Sequence, residues 1–218
     1  MLYTVIQGDT LSRIAKKFGV PLNSLIALNS LADPNRLLIG QQLQVPNMQD
    51  IPSDATFVLP VHNSSLVQRA RSVVNVDIAY KLGAGGMSPA LVKPSSSGFC
   101  DCSGFICWVL GLSRQTKIPF YRHNFGGWIN TDAMEGDILS TTGIFDRLTS
   151  PEPGCIVVYG AQLNIGHVGL VSEVDGDRMA RVIHCSSGNS RVHNGRSIQE
   201  TLPTVFDRPD IYWGRFVG

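Results

Sequence analysis

The turn Asp175-Gly176-Asp177 separates two apolar runs, His167 to Val174 and Arg181 to Ser186. An Asp-Gly step between strand-like segments is a strong hairpin signal, because glycine takes the positive φ a tight turn needs. The two runs must then pair antiparallel. Further strand candidates flank them, Gly154 to Tyr159 and Ile211 to Val217. Upstream the period is helical. Leu66, Val67, Ala70, Val73, Val74 and Ile78 predict a helix within Ser65 to Leu82, broken by Gly83-Ala84-Gly85-Gly86. A second helix runs from Cys102 to about Leu110, beginning at Asp101 or Cys102. Helices first, then an antiparallel meander, make an α+β domain over residues 63–218. Ser113 to Ser150 shows no strong period and reads as surface loops around a site.

Residues 1–47 read as a separate small unit. Leu2 to Ile6 alternates as a strand, and Gly8-Asp9-Thr10 supplies a turn and an N-cap, assigned to Asp9. Leu11, Ile14, Ala15 and Phe18 share one helical face. Pro21 opens another helix, with Leu22, Leu25, Ile26 and Leu28 apolar, and Leu43 and Val45 alternate in a closing strand. The order is βααβ, with the two strands paired antiparallel. Residues 48–62 lack periodicity and read as a linker.

Charge narrows the partners. The net charge is +1, and residues 1–50 hold four Lys/Arg against three Asp/Glu. No basic stripe exists to follow a phosphate backbone, so nucleic acid is not expected. Charged residues are 16% of the chain, which suits an uncharged polymer or peptide. No run approaches the roughly 20 apolar residues of a membrane span. Met1 to Asp9 lacks the basic and apolar regions of a secretory signal, so synthesis in the cytoplasm without such a signal is expected. Five cysteines, an odd number without a C-x-x-C pair, make neither a disulfide framework nor a zinc site. No metal and no cofactor is expected.

The chemistry centres on Cys102. A thiol at a helix start meets unsatisfied backbone N–H groups, which favour thiolate and can hold a developing oxyanion. Cys107 lies inside the helix and Cys100 outside it. His167, in Gly166-His167-Val168-Gly169, lies on one strand, and His184, in Ile183-His184-Cys185-Ser186, on the next. The Asp-Gly turn makes those strands neighbours, so both imidazoles can share a face. A base needs a partner that fixes its tautomer, and a second histidine can serve. His62, His123 and His193 fall in linker or loops.

Two resemblances follow. Tyr3 to Leu11, Ile14-Ala15, Leu25 to Asn29 and Ile39-Gly40-Gln41-Gln42-Leu43 resemble the LysM module. That resemblance implies binding of N-acetylglucosamine-containing glycan through the loops bearing Gly8, Asp9, Thr10, Asn29, Leu38 and Ile39. Tyr80 to Gly83, Asp101 to Phe105, Gly166 to Gly169 and Ile183 to Ser186 resemble the NlpC-type papain-like cysteine peptidases of the bacterial cell wall. It implies Cys102 as nucleophile, His167 as base and acid, and His184 as the residue orienting His167. It also implies that Tyr80, Asp101, Ser103 and Gly166 contact the stem peptide of peptidoglycan.

The expected reaction is hydrolysis of a stem-peptide amide, with D-glutamyl–diaminopimelate as the family's common bond. An N-acetylmuramoyl-L-alanine amidase, a thiol acyltransferase and a non-catalytic wall-binding protein are the rival readings. Action at the wall without a secretory signal would require delivery by phage lysis, an injection device or type VI secretion. An immunity or secretion-apparatus partner would accompany that route.

Overall fold

The structure, a computed structural model, describes residues 2–7, 9–18, 25, 28–29, 37–45, 63–160 and 166–218. Its contacts divide into two units, residues 1–61 with 217–218, and residues 62–216. The linker expected over 48–62, Gly8 and most of the expected second N-terminal helix lie outside the described residues.

In the first unit, β1 (Leu2–Thr4) pairs antiparallel with β2 (Gln42–Gln44), in the register Tyr3↔Leu43. The helix α1 spans Leu11–Phe18. Its apolar face buries Leu11, Ile14 and Ala15 against Val5, Leu25, Leu43 and Val45. Seven small aliphatic side chains make the described core, the face that the 3.6-residue spacing predicts.

The second unit is built on a six-stranded antiparallel sheet. Its strands are β5 (Phe145–Leu148), β6 (Ile156–Tyr159), β7 (His167–Asp175), β8 (Arg178–Cys185), β9 (Ile198–Thr201) and β10 (Tyr212–Phe216). The spatial order is β5-β10-β6-β7-β8-β9. The Asp-Gly turn joins β7 to β8 as expected, with Asp175 opposite Arg178 and Gly176 at φ 57°. The β9 strand and the helix α6 (Ser187–Val192) are additions that the sequence reading lacked.

Two sequence expectations are corrected. The first helix, α2, spans Asn63–Arg71 and stops well before Leu82. Asn75 takes a left-handed φ of 63°, which no helix can contain, and its N–H bonds to Ile198 O on β9. Val73 and Ile78 are buried all the same, so the apolar spacing marked burial rather than helix. The chain then forms β3 (Ala79–Tyr80), paired in parallel with β4 (Phe99–Cys100).

The Ser113–Ser150 segment also has its own structure. It holds α4 (Pro119–Phe125), α5 (Thr131–Leu139) and β5. Pro119 occupies the first turn of α4, where its missing N–H is harmless. Asn130 caps α5 through Ala133 N. In α5 the buried face includes Glu135 and Asp137 as well as Ala133, Met134 and Ile138, which erased the apolar period. Asp137 accepts from the N–H groups of Ile144 and Phe145, and burial pushes its carboxyl up to about 6.

The helix α3 (Cys102–Val109) is buried along its whole length. Its start is fixed by one residue. Asp101 Oδ1 accepts from Gly104 N at 2.8 Å, a side-chain N-cap, and Oδ2 accepts from Gly83 N at 2.7 Å. Arg114 donates to both carboxylate oxygens at 2.9 Å, to Ser103 Oγ at 2.7 Å and to Ala84 O at 3.0 Å. Arg114 is 3% exposed and Asp101 1%. A Cβ on Gly104 would come within 2.5 Å of Ala84 O, so the 83–86 loop can sit on the helix only over a glycine.

Arg114→Leu leaves that carboxylate buried without its partner. We expect a loss of about 3–5 kcal/mol in urea unfolding of the second unit. A loss below about 1 kcal/mol would show that the ion pair does not hold the helix.

Candidate active site

Residues of β7 and β8 supply the two imidazoles. Leu170 faces Ile183 across the hairpin, so the next pair in that register sets Gly169 against His184. His167 stands two residues from Gly169 on the same face. A Cβ at Gly169 would meet Val182 Cγ1 at 2.5 Å and His184 Cβ at 3.2 Å. The missing side chain therefore clears the diagonal along which the rings meet. His167 Nε2 lies 2.7 Å from His184 Nδ1. His184 Nε2 lies 3.1 Å from Thr201 Oγ1 on β9.

Aromatic packing walls the pair from water. Phe206, 1% exposed in the short 3-10 turn Thr204–Phe206, stacks on His167 with centroids 5.2 Å apart and planes 15° apart. It also touches the rings of His184 and Tyr159. His167 and His184 are 8% and 5% exposed. Burial pushes His167 down to about 3, helped by the neighbouring His184, and pushes His184 down to about 4. Both rings are neutral at pH 7.

Cys102 occupies the first position of α3 and is 4% exposed. Its sulfur meets the backbone N–H of Val168, the residue after His167, and that of Ser103. These contacts favour thiolate. Burial opposes them and dominates, with the Asp101 carboxylate adding to it, so the thiol is pushed up to about 12. The sequence reading expected an ionised sulfur; at rest the sulfur is instead a neutral thiol, and both imidazoles are neutral too. Desolvation outweighs two N–H groups because the charged form loses its whole water shell.

A cleft of about 590 Å³ opens over the histidines. Tyr80, Tyr159, Gly166, Ser186, Asn189 and Thr201 are among its lining residues, with His167 and His184. Tyr80 is half-buried, and its phenol is raised first by burial and then by the nearby Cys102 sulfur. Gly166 is a close-approach position, where a Cβ would meet Thr131 Oγ1 at 2.3 Å. Asp101 and Ser103, expected against the substrate, are instead interior groups whose polar atoms are spent on Arg114 and on the α3 cap. Sequence reasoning missed Asn189, Thr201 and Phe206. Asn189 lies in α6 (Ser187–Val192) and donates to His184 O at 3.1 Å and Ser197 O at 3.3 Å.

In the first unit the expected glycan residues divide. Asp9 accepts from Tyr3 Oη at 2.7 Å and Ile6 N at 2.9 Å, so it ties the β1 turn rather than capping α1. Thr10 is the cap, through Arg13 N at 3.3 Å. Asn29 clamps β2, donating to Gln44 O at 2.8 Å and accepting from Gln44 N at 2.6 Å. Leu38 and Ile39 are 66% and 71% exposed, so neither closes the small core.

Residues 3–46 match the model of the LysM domain, and residues 93–189 match the model of the CHAP domain. The chain is thus similar to a LysM domain over its N-terminal unit and to a CHAP domain over part of the second. The α+β expectation holds for this pair. The second match names the CHAP domain; the NlpC type in particular is not what it names. Cys102, His167 and His184 lie within it, while Tyr80, Thr201 and Phe206 lie outside.

Among similar proteins is the secreted LysM effector ECP6 of Passalora fulva, 39% identical over 56 residues, covering 26% of this chain and 25% of that protein. The probable peptidoglycan endopeptidase LytE of Bacillus subtilis (strain 168) is 32% identical over 126 residues, 53% of this chain and 33% of that protein. The N-acetylmuramoyl-L-alanine amidase XlyA of the same strain is 40% identical over 58 residues, 27% of this chain and 20% of that protein. The chain thus spans one third or less of the length of these relatives. Among the described residues no helix is long and apolar enough to cross a membrane, and no His/Cys/Asp/Glu group could hold a metal ion.

A neutral resting pair has a distinct signature. Only the thiolate alkylates, and a thiol titrating near 12 gains thiolate about tenfold per pH unit throughout the range below it. We expect iodoacetamide labelling of Cys102 in the free protein to climb steadily from pH 6 to pH 9, with Cys102→Ser as the blank. A plateau at pH 5–7 would show a preformed thiolate–imidazolium pair.

Proposed function

We propose that this protein is a peptidoglycan hydrolase that cleaves an amide bond of the stem peptide. The observation that carries the reading is the 2.7 Å His167–His184 contact beneath a cleft, with the Cys102 sulfur against the N–H of the residue after His167. The match to the CHAP domain and the likeness to a probable peptidoglycan endopeptidase support it.

In this mechanism Cys102 is the nucleophile. Its sulfur adds to the amide carbonyl while its proton passes to His167 Nδ1, the ring nitrogen not taken up by His184. Transfer within the encounter keeps a bare thiolate from standing in a desolvated site. The carbonyl oxygen becomes an oxyanion, held by N–H groups of the first turn of α3, that of Cys102 among them. The imidazolium protonates the leaving nitrogen, the C–N bond breaks, and a thioester remains. Water then gives a proton to His167 and its oxygen to the acyl carbon, and the thiol is restored. His184 keeps the His167 ring aligned through both steps. Tyr80 and Gly166, on the cleft wall, would contact the stem peptide.

The proposed bond is D-glutamyl–diaminopimelate, the common choice of the NlpC-type enzymes that the second unit resembles. A second reading is cleavage of the N-acetylmuramoyl-L-alanine amide, favoured by the likeness to an amidase of that name. Mass analysis of fragments released from defined muropeptides separates them. The LysM domain would hold N-acetylglucosamine-containing glycan, with exposed Leu38 and Ile39 as its contact side chains. Tethering raises the local concentration of stem peptide without any new contact at the cleft.

We expect Cys102→Ala to abolish release of fragments from purified sacculi while sacculus binding persists. Hydrolysis by that variant would rule out the proposed nucleophile.

A further inference from the structure

Proton positions in the histidine pair follow from the groups behind it. The Thr201 hydroxyl lies 2.9 Å from Leu202 O, to which it donates, and 3.1 Å from His184 Nε2. One hydroxyl carries one hydrogen, so with that hydrogen on Leu202 O its oxygen can only accept from His184 Nε2–H. The other polar neighbour is Asn189 Nδ2, 3.5 Å from His184 Nε2. Its two hydrogens have nearer acceptors, His184 O at 3.1 Å and Ser197 O at 3.3 Å. With the hydroxyl hydrogen on Leu202 O, Nε2 of His184 is the protonated nitrogen, and Nδ1 carries the lone pair.

The consequence runs to the sulfur. A bare Nδ1 on His184, 2.7 Å from His167 Nε2, requires His167 to carry its hydrogen on Nε2. His167 Nδ1 is then unprotonated and able to take the thiol proton. The opposite pattern would leave His167 protonated on Nδ1 and useless as a base. We infer that Thr201 is a positioning residue that sets the tautomer of both histidines, through the chain Leu202 O, Thr201 Oγ1, His184, His167. The inference rests on the reading of His167 as the base, and it adds a residue outside the 93–189 family match.

The test uses the full chain with ¹⁵N-labelled histidine at pH 7, where long-range ¹H–¹⁵N correlations distinguish the two neutral tautomers. We expect Nε2–H at both His167 and His184. In Thr201→Val we expect the His184 pattern to shift toward Nδ1–H and kcat on muropeptides to fall about 10-fold or more with KM unchanged. Thr201→Ser, which keeps the hydroxyl, should restore both. Wild-type His184 protonated on Nδ1, or a Thr201→Val variant with unaltered tautomers and full kcat, would overturn the inference. The spectra need no turnover, so failure of the proposed hydrolysis would be seen separately in the Cys102 variant.

Discussion

The architecture of the site depends on a single desolvated ion pair. Asp101 and Arg114 share two contacts in the interior, and between them they also engage Gly83, Ala84, Ser103, Gly104 and Ile129. An isolated buried carboxylate would take up a proton or unfold its surroundings. Here every lone pair is met, so the charge is tolerated and its geometry is specified. Those contacts join the glycine loop, the first turn of α3 and the segment after it. The sulfur of Cys102 sits one residue from the centre of that lock, and its position follows from it.

The imidazoles are placed by a different device. A tight turn puts β7 beside β8, a glycine clears the face between the two rings, and Phe206 closes over them. Desolvation then does the electrostatic work. It lowers both rings and raises the thiol, so all three groups rest uncharged at neutral pH.

How much of this was legible in the chain differs by element. The hairpin, four strands and α3 announced themselves through a glycine turn and apolar alternation. That His167 and His184 could share a face followed from the Asp-Gly turn and period-2 geometry; their contact did not. The helix over 63–71 was overextended because burial, not helix, made Val73 and Ile78 apolar. The helix over 131–139 went unseen because its inward face carries two carboxylates. Asp101 illustrates the general limit: an aspartate beside a helix-start cysteine has the same letter whether it meets a ligand or a buried guanidinium 13 residues on. Thr201 and Phe206 were invisible for a related reason, since only the folded sheet brings them to the rings.

The thiols differ in how far an oxidant can reach them. All five are unpaired, four of them wholly enclosed, and Cys102 alone retains a trace of exposure. Among the thiols, a foreign disulfide or peroxide in the surroundings would meet essentially one, that of Cys102. Thiol oxidation would thus fall on the helix-start sulfur and spare the four cysteines that pack the scaffold.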